Sequence, residues 1–204
     1  DIQREVELAG NIHSKGVMTL AGFLAGKFAG MQPFALSATL TFEQTYSEIE
    51  GDSAAVAELT AVLSSLADLP VRQSLAVTGS VNQLGEIQPI GGVNEKIEGF
   101  FESCKRRGLT GTQGVIIPAR NTKHLALNRE VVVAVEEGKF AVYGVDHVEQ
   151  ALELLIGVPA GERGPEGTFP PESIYGRTAA RLEEMAQIVA NWGEGEEEPE
   201  KITG

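Results

Sequence analysis

From Ser14 to Phe28 the apolar residues Val17, Leu20, Leu24 and Phe28 recur at spacings of three and four, which predicts a helix. Over residues 36–43 the period changes to two: Leu36, Ala38, Leu40 and Phe42 alternate with polar neighbours, as in a half-buried strand. The chain turns at Glu50-Gly51-Asp52. Val56, Leu59, Val62, Leu63 and Leu66 then line one face of a second helix that Pro70 prevents from continuing. Residues 75–81, LAVTGSV, read as a strand ending at Gly79, and the run through Leu84-Gly85-Glu86 to Ile90 as a hairpin. Gly91-Gly92 opens another helix, with Val93, Ile97, Phe100, Phe101 and Cys104 on its apolar side and Gly108 as its stop.

A strand at 114–118, a helix near 128–137, a strand at 140–145 and a helix from about Asp146 to Ile156 continue the alternation. Elements that alternate in this way predict an α/β (α+β) fold, and no internal repeat interrupts them. Residues 157–173 are dense in Gly and Pro and read as a linker or ordered loop. A C-terminal amphipathic helix over 174–192 follows, with Leu182, Met185, Ile188, Val189 and Trp192 as a stripe that must dock on the main domain or on a neighbouring subunit. Residues 193–204 carry five glutamates and read as a solvated, disordered acidic tail.

At 204 residues, 42% of them hydrophobic, the chain is long enough for one well-buried domain, here taken as 1–156, with the C-terminal segments as appendages. The net charge of −13 repels phosphate and argues against a nucleic-acid partner. Lys105-Arg106-Arg107, the one basic cluster, falls where cations suit a helix C-terminus. A lone cysteine, Cys104, excludes an internal disulfide and a multi-thiolate zinc site, which leads us to expect a reducing cytoplasm. It sits on the apolar side of its helix and reads as a small core residue rather than a nucleophile. No run approaches the roughly 20 apolar residues that span a bilayer. The start at Asp1 rather than Met leads us to expect a longer parent chain.

Two stretches carry candidate chemistry. Ser53, in Glu50-Gly51-Asp52-Ser53-Ala54, lies between a strand and a helix; Asp and Ser there are ordinary helix caps, but the helix start also favours negative charge, as an activated nucleophile and its oxyanion require. Lys96, in Gly91-Gly92-Val93-Asn94-Glu95-Lys96, falls three residues after Val93 and four before Phe100, so it flanks the apolar face and is expected to be partly buried. An ordinary lysine, with a pKa of about 10.4, is neutral in roughly a few molecules per ten thousand at neutral pH. Desolvation and the positive end of the helix both lower that pKa, and a lowering of about three pH units corresponds to about 4 kcal/mol. Such a lysine can take the proton of a serine hydroxyl.

Spacing does not say whether the two meet. The order of motifs does: EGDSAAVAEL, then PVRQSLAVTGSVNQLGEIQPIGGVNEKIEGFF, strongly resembles the proteolytic domain of Lon proteases, over roughly residues 36–156. In that family the Ser of G-D-S-A (B-type) or K-D-G-P-S-A (A-type) pairs with the Lys of G-G-x-x-E-K. The resemblance implies Ser53 as nucleophile, Lys96 as base and Thr78 as a residue that orients the amine. Asp52 and Glu50, near the nucleophile, would raise the Lys96 pKa on contact and so mark a resting state. The absence of Gly-Pro before Ser53 favours the B-like branch, although Ala55 departs from the more usual GDSAS. The run through GLTGTQGVIIPARNTKHL is most similar to bacterial Lon-related proteases.

The resemblance further implies a domain of mixed small sheets packed by helices and a serine endopeptidase acting on protein or peptide substrates in a hexameric ring. It implies no cofactor in this stretch, with ATP handled by an upstream module. The rival expectation is an inactive Lon-like oligomerisation scaffold. Two other chemistries find little support. GFLAGKF at 22–28 fails the phosphate-loop spacing, and His13, His124 and His147 form no H-E-x-x-H or triad pattern; His147, after Asp146, reads as the start of a helix.

Overall fold

The computed structural model describes residues 7–28 and 36–193. The acidic tail, from residue 194 onward, lies outside the described residues, as does the side chain of Trp192.

Helix α1 (Asn11–Phe28) buries His13, Gly16, Leu20, Phe23 and Leu24. Its start is fastened to the turn before Ser53: Ala9 and Ile49 form a parallel bridge, and the Gly10 amide donates to the Ile49 carbonyl at 2.9 Å. Helix α2 (Ala55–Ala67) buries Ala55, Val56, Leu59, Leu63 and Ala67, a stripe of the spacing that one helical face demands. It ends where Asp68 turns left-handed (φ 51°), two residues before Pro70.

Strands β1 (Leu75–Val77), β4 (Gly114–Pro118) and β5 (Ala141–Val145) form a parallel sheet in the order β1-β4-β5, while β2 (Ser80–Val81) and β3 (Ile87–Gln88) form a separate antiparallel hairpin. Central β4 is buried on both faces, as its unbroken apolar run requires. Because successive strand residues point to opposite faces, Ile116 enters one core and Val115 and Ile117 the other. The first core gathers α1, α2, the hairpin and α5 (Val148–Ile156); the second gathers α3 (Val93–Arg107), α4 (Arg129–Glu136) and Phe140. Helices thus cover both faces of the sheet, an α/β architecture.

Two elements differ from expectation. Residues 36–43 form no ladder; Leu36, Ala38 and Leu40 instead line, with α1 and α2, a cavity of about 190 Å³, so their alternation records a half-buried extended segment and not a sheet strand. The predicted strand 75–81 is two strands. At the break, the Gly79 amide donates to the Ser53 carbonyl (2.8 Å) and the Gly79 carbonyl accepts from the Val56 amide (3.2 Å), so the backbone leaves the parallel sheet to bind the start of α2.

After α5, residues 157–173 fold back rather than away: the Pro159 and Ala160 carbonyls accept from the Ile174 and Tyr175 amides, and the Ala160 amide donates to Glu153. Helix α6 (Ile174–Gly193) packs along α2. Its buried face is Ile174, Tyr175, Thr178 and Leu182, whereas Ile188 and Val189 of the expected stripe are exposed. No helix of the described residues is long and apolar enough to cross a membrane.

Candidate active site

Ser53 ends the turn that precedes α2. Its hydroxyl does not cap the helix; Ala54 occupies the cap position without a side-chain bond. The backbone there is held from β1–β2 instead, because the Ser53 carbonyl accepts both the Gly79 amide and, at 3.2 Å, the Thr78 hydroxyl. Thr78 is itself 8% exposed and anchored to the sheet by its amide, which donates to Ile116. Gly79 is required by contact: a Cβ there would lie 2.9 Å from Val56 Cγ2 and 3.2 Å from Ile87 Cγ2.

Lys96 reaches this point from the opposite core. Gly92 starts α3 in the left-handed conformation (φ 66°), which glycine adopts without steric cost, and the Lys96 amide donates to the Gly92 carbonyl. Val93, Ile97 and Phe101 fix α3 in the second core. Three side chains then set its position along the chain that follows β4. Asn121 brackets Ile90 with both its amide nitrogen and its oxygen, Asn94 accepts from the Ala126 amide, and Glu98 from the Asn128 amide.

The Lys96 amine donates to Ser53 Oγ at 2.8 Å and to Thr78 Oγ1 at 3.3 Å. Of the five residues singled out in the sequence, these three meet. The two acids do not join them. Asp52 accepts a hydrogen bond from the Ser80 hydroxyl at 2.7 Å, and Glu50 accepts from the Ile12 amide at the start of α1. Burial lowers the Lys96 pKa from its ordinary value, and burial is the cause of that shift. Lys96 as a whole nonetheless remains exposed, more so than expected, and Ser53 is half-buried, so solvent reaches both.

A hydroxyl and an amine at 2.8 Å, with the amine biased toward its neutral form, can exchange a proton along their hydrogen bond. The other titratable candidates lie elsewhere. His13 faces Glu58 in the first core, His147 caps α5, and burial raises the Cys104 thiol above its usual range. Among the described residues no three His, Cys, Asp or Glu side chains gather as a metal site would require. Ser80 and Asn121 escaped the sequence reading. Each has a partner about thirty positions away, and a lone polar residue in a strand or loop gives no signal of such a partner.

The sequence model of the Lon protease (S16) C-terminal proteolytic domain matches residues 47–157, more than half of the chain. The chain belongs to the Lon protease family. The matched span runs from just before Glu50 to the end of α5 and so contains every Lon-type residue discussed above. Over 156 residues, 76% of this chain, it is 58% identical to a protein of Escherichia coli (strain K12) named "Putative Lon protease homolog". A protein of the same name from Haemophilus influenzae is 45% identical over 186 residues, 91% of this chain. The archaeal Lon protease of Thermococcus kodakarensis is 38% identical over 125 residues, 61% of this chain and 17% of its own length. The chain spans 27% and 31% of the length of the two bacterial Lon homologues.

Proposed function

We propose that this domain is a serine endopeptidase in which Ser53 is the nucleophile and Lys96 the general base. The observation that carries the reading is the 2.8 Å approach of the Lys96 amine to the Ser53 hydroxyl, between two elements rooted in different cores. The neutral amine takes the hydroxyl proton as Ser53 Oγ bonds to the substrate carbonyl carbon. Amides at the Asp52–Ser53 turn stabilise the resulting oxyanion. Collapse of the tetrahedral species breaks the C–N bond, and the Lys96 ammonium returns its proton to the leaving amine. Water, deprotonated by Lys96, then cleaves the acyl ester and restores both groups. Thr78, bonded to the same amine, keeps it directed at Ser53.

The reaction as written draws on side chains and backbone amides of this chain, with water as co-substrate. Proteins or peptides are the substrates, the cytoplasm is the compartment, and a hexameric ring is the working assembly; ATP, where used, acts in an upstream module of the longer protein. The test is hydrolysis of casein or a fluorogenic peptide by this chain beside Ser53→Ala, together with labelling by a serine-directed probe. Cleavage and labelling that both vanish in the variant support the reading. An unlabelled, inactive parent that still assembles would instead identify a scaffold.

A further inference from the structure

We infer that Ser80 is a positioning residue whose hydroxyl keeps the Asp52 carboxylate turned away from the Lys96 amine. The inference rests on the proposed Ser53–Lys96 pair and adds to it the device that protects it. Asp52 is the neighbour of Ser53, and consecutive Cα atoms are about 3.8 Å apart, so its short side chain starts beside the serine that the amine touches. An anion within about 4–6 Å would favour the ammonium form and remove the base. What holds the carboxylate is on the other side. Ser80 Oγ donates to Asp52 Oδ2 at 2.7 Å, a charge-assisted bond, from a residue only 7% exposed in a strand paired with Gln88. A Cβ placed on Gly16 of α1 would lie 3.2 Å from Asp52 Cβ, so α1 closes another side of this acid.

Among the described residues, the other acids on the neighbouring elements have contacts of their own. Glu50 holds the Ile12 amide and Glu58 faces His13. On α3, Glu95 folds back toward Gly92 and Glu98 holds the Asn128 amide. On the hairpin Glu86 accepts from Asn82, and Lys15 on α1 is exposed. Among the described residues Asp52 is the acid next in sequence to Ser53, and Ser80 is the group hydrogen-bonded to it.

The test is to titrate the Lys96 side chain by NMR of lysine carrying a ¹³C label at Cε, using Lys96→Arg for assignment. Parent, Ser80→Ala and Ser80→Ala/Asp52→Asn are compared. Release of the carboxylate predicts that Ser80→Ala raises the Lys96 pKa by about one unit or more and that the double variant reverses the rise. Below that pKa, peptide hydrolysis by Ser80→Ala falls about tenfold per unit of the rise. An unmoved titration in Ser80→Ala, or a rise that Asp52→Asn does not reverse, overturns the inference and leaves Ser80 as a structural tie. Should the alanine variant not fold, Ser80→Gly, which likewise removes the hydroxyl, reads the same titration. The outcome is separable from that of the parent reading, because activity retained in Ser53→Ala defeats the Ser53–Lys96 proposal whatever the amine titration shows.

Discussion

Lys96 and Lys27 place the same amine in opposite surroundings. Lys27, at the end of α1, donates to Glu149 Oε1 at 2.7 Å and lies over the Tyr175 ring, 4.6 Å from its centroid. Tyr175 donates to that same carboxylate oxygen at 2.9 Å. Burial alone would push the Glu149 carboxyl up; the Lys27 hydrogen bond, a bond from its own backbone amide, the Lys27 charge and the Tyr175 hydroxyl together outweigh it and hold the acid below its usual range. Lys96 meets two hydroxyls, and the acid beside its partner serine is bonded elsewhere. The difference teaches that two lysines of one domain can serve different ends: one amine is paired with a carboxylate, while the other meets only hydroxyls, as the proposed base role requires. One cluster ties α1, α5 and α6 together, and the other joins α3 to Ser53 and Thr78 through two hydroxyls.

The largest effect should come from Lys96→Arg. Arginine keeps the charge but cannot give up its proton near neutral pH, so peptide hydrolysis should fall by about 10²–10⁴-fold while the melting temperature stays near the parent's. Because burial lowers the Lys96 pKa, the parent's kcat/KM should rise with pH along a limb centred below the ordinary lysine value of about 10.4. A limb at or above that value would show that burial does not lower the proton affinity of Lys96. Next comes Gly79→Ala. Its methyl group would press on Val56 and Ile87, costing about 1–3 kcal/mol, and would push the Thr78–Gly79 backbone from the Ser53 carbonyl. Chemical denaturation should show the loss, and hydrolysis should fall with it; destabilisation with full activity would mean that this anchor does not position Ser53.

How much of this contrast could be read from the sequence depends on how local each feature is. The faces of α2 and α3, the all-apolar β4 and the opening of α3 at Gly91-Gly92 follow from periods and turn chemistry a few residues long. The meeting of Ser53 and Lys96 could not be read from spacing; the order of motifs and their family resemblance led us to expect it. The Lys27 cluster left no comparable trace, because Lys27, Glu149 and Tyr175 come from three distant helices, each of which reads locally as packing. The stripe expected on α6 began at Leu182, but the buried face starts at Ile174 and includes Thr178, whose hydroxyl is satisfied by the Ile174 carbonyl one turn back. A threonine that hides its polarity inside its own helix looks polar in a sequence and behaves as apolar in a core.

Glu149→Gln sharpens the comparison from the other lysine. The amide keeps the shape and an acceptor but loses the charge facing Lys27, in a pair whose side chains are each 29% exposed, so a cost of about 1–2 kcal/mol is expected at neutral pH. The sign of its pH dependence is fixed. A carboxyl held below its usual range contributes stability above its unfolded pKa of about 4.3 and loses that stability as pH falls through the lower folded value. The parent should therefore lose more stability than Glu149→Gln between neutral and acid pH in urea denaturation. The pH limb of hydrolysis, which the proposed mechanism assigns to Lys96, should not move. A shift there would show that the two lysines are coupled through α2 and α6.

The smallest effect separates the two things Tyr175 does. Burial, and then the Glu149 charge, raise its pKa, so it remains a phenol and a donor throughout the range in which the protein is studied. Tyr175→Phe keeps the ring under the Lys27 amine and its edge contact with Phe28, and removes only the hydroxyl. The net loss of one hydrogen bond to a carboxylate that retains its lysine is about 1 kcal/mol. Without that bond Glu149 is depressed less, so the acid-side loss of stability should shrink but persist, falling between the parent and Glu149→Gln. If Tyr175→Phe matched Glu149→Gln, the hydroxyl and not the lysine would be holding the acid. The ion pair of Lys27 would then be a contact without a matching share of the stability, and the contrast between the two lysines would rest on geometry alone.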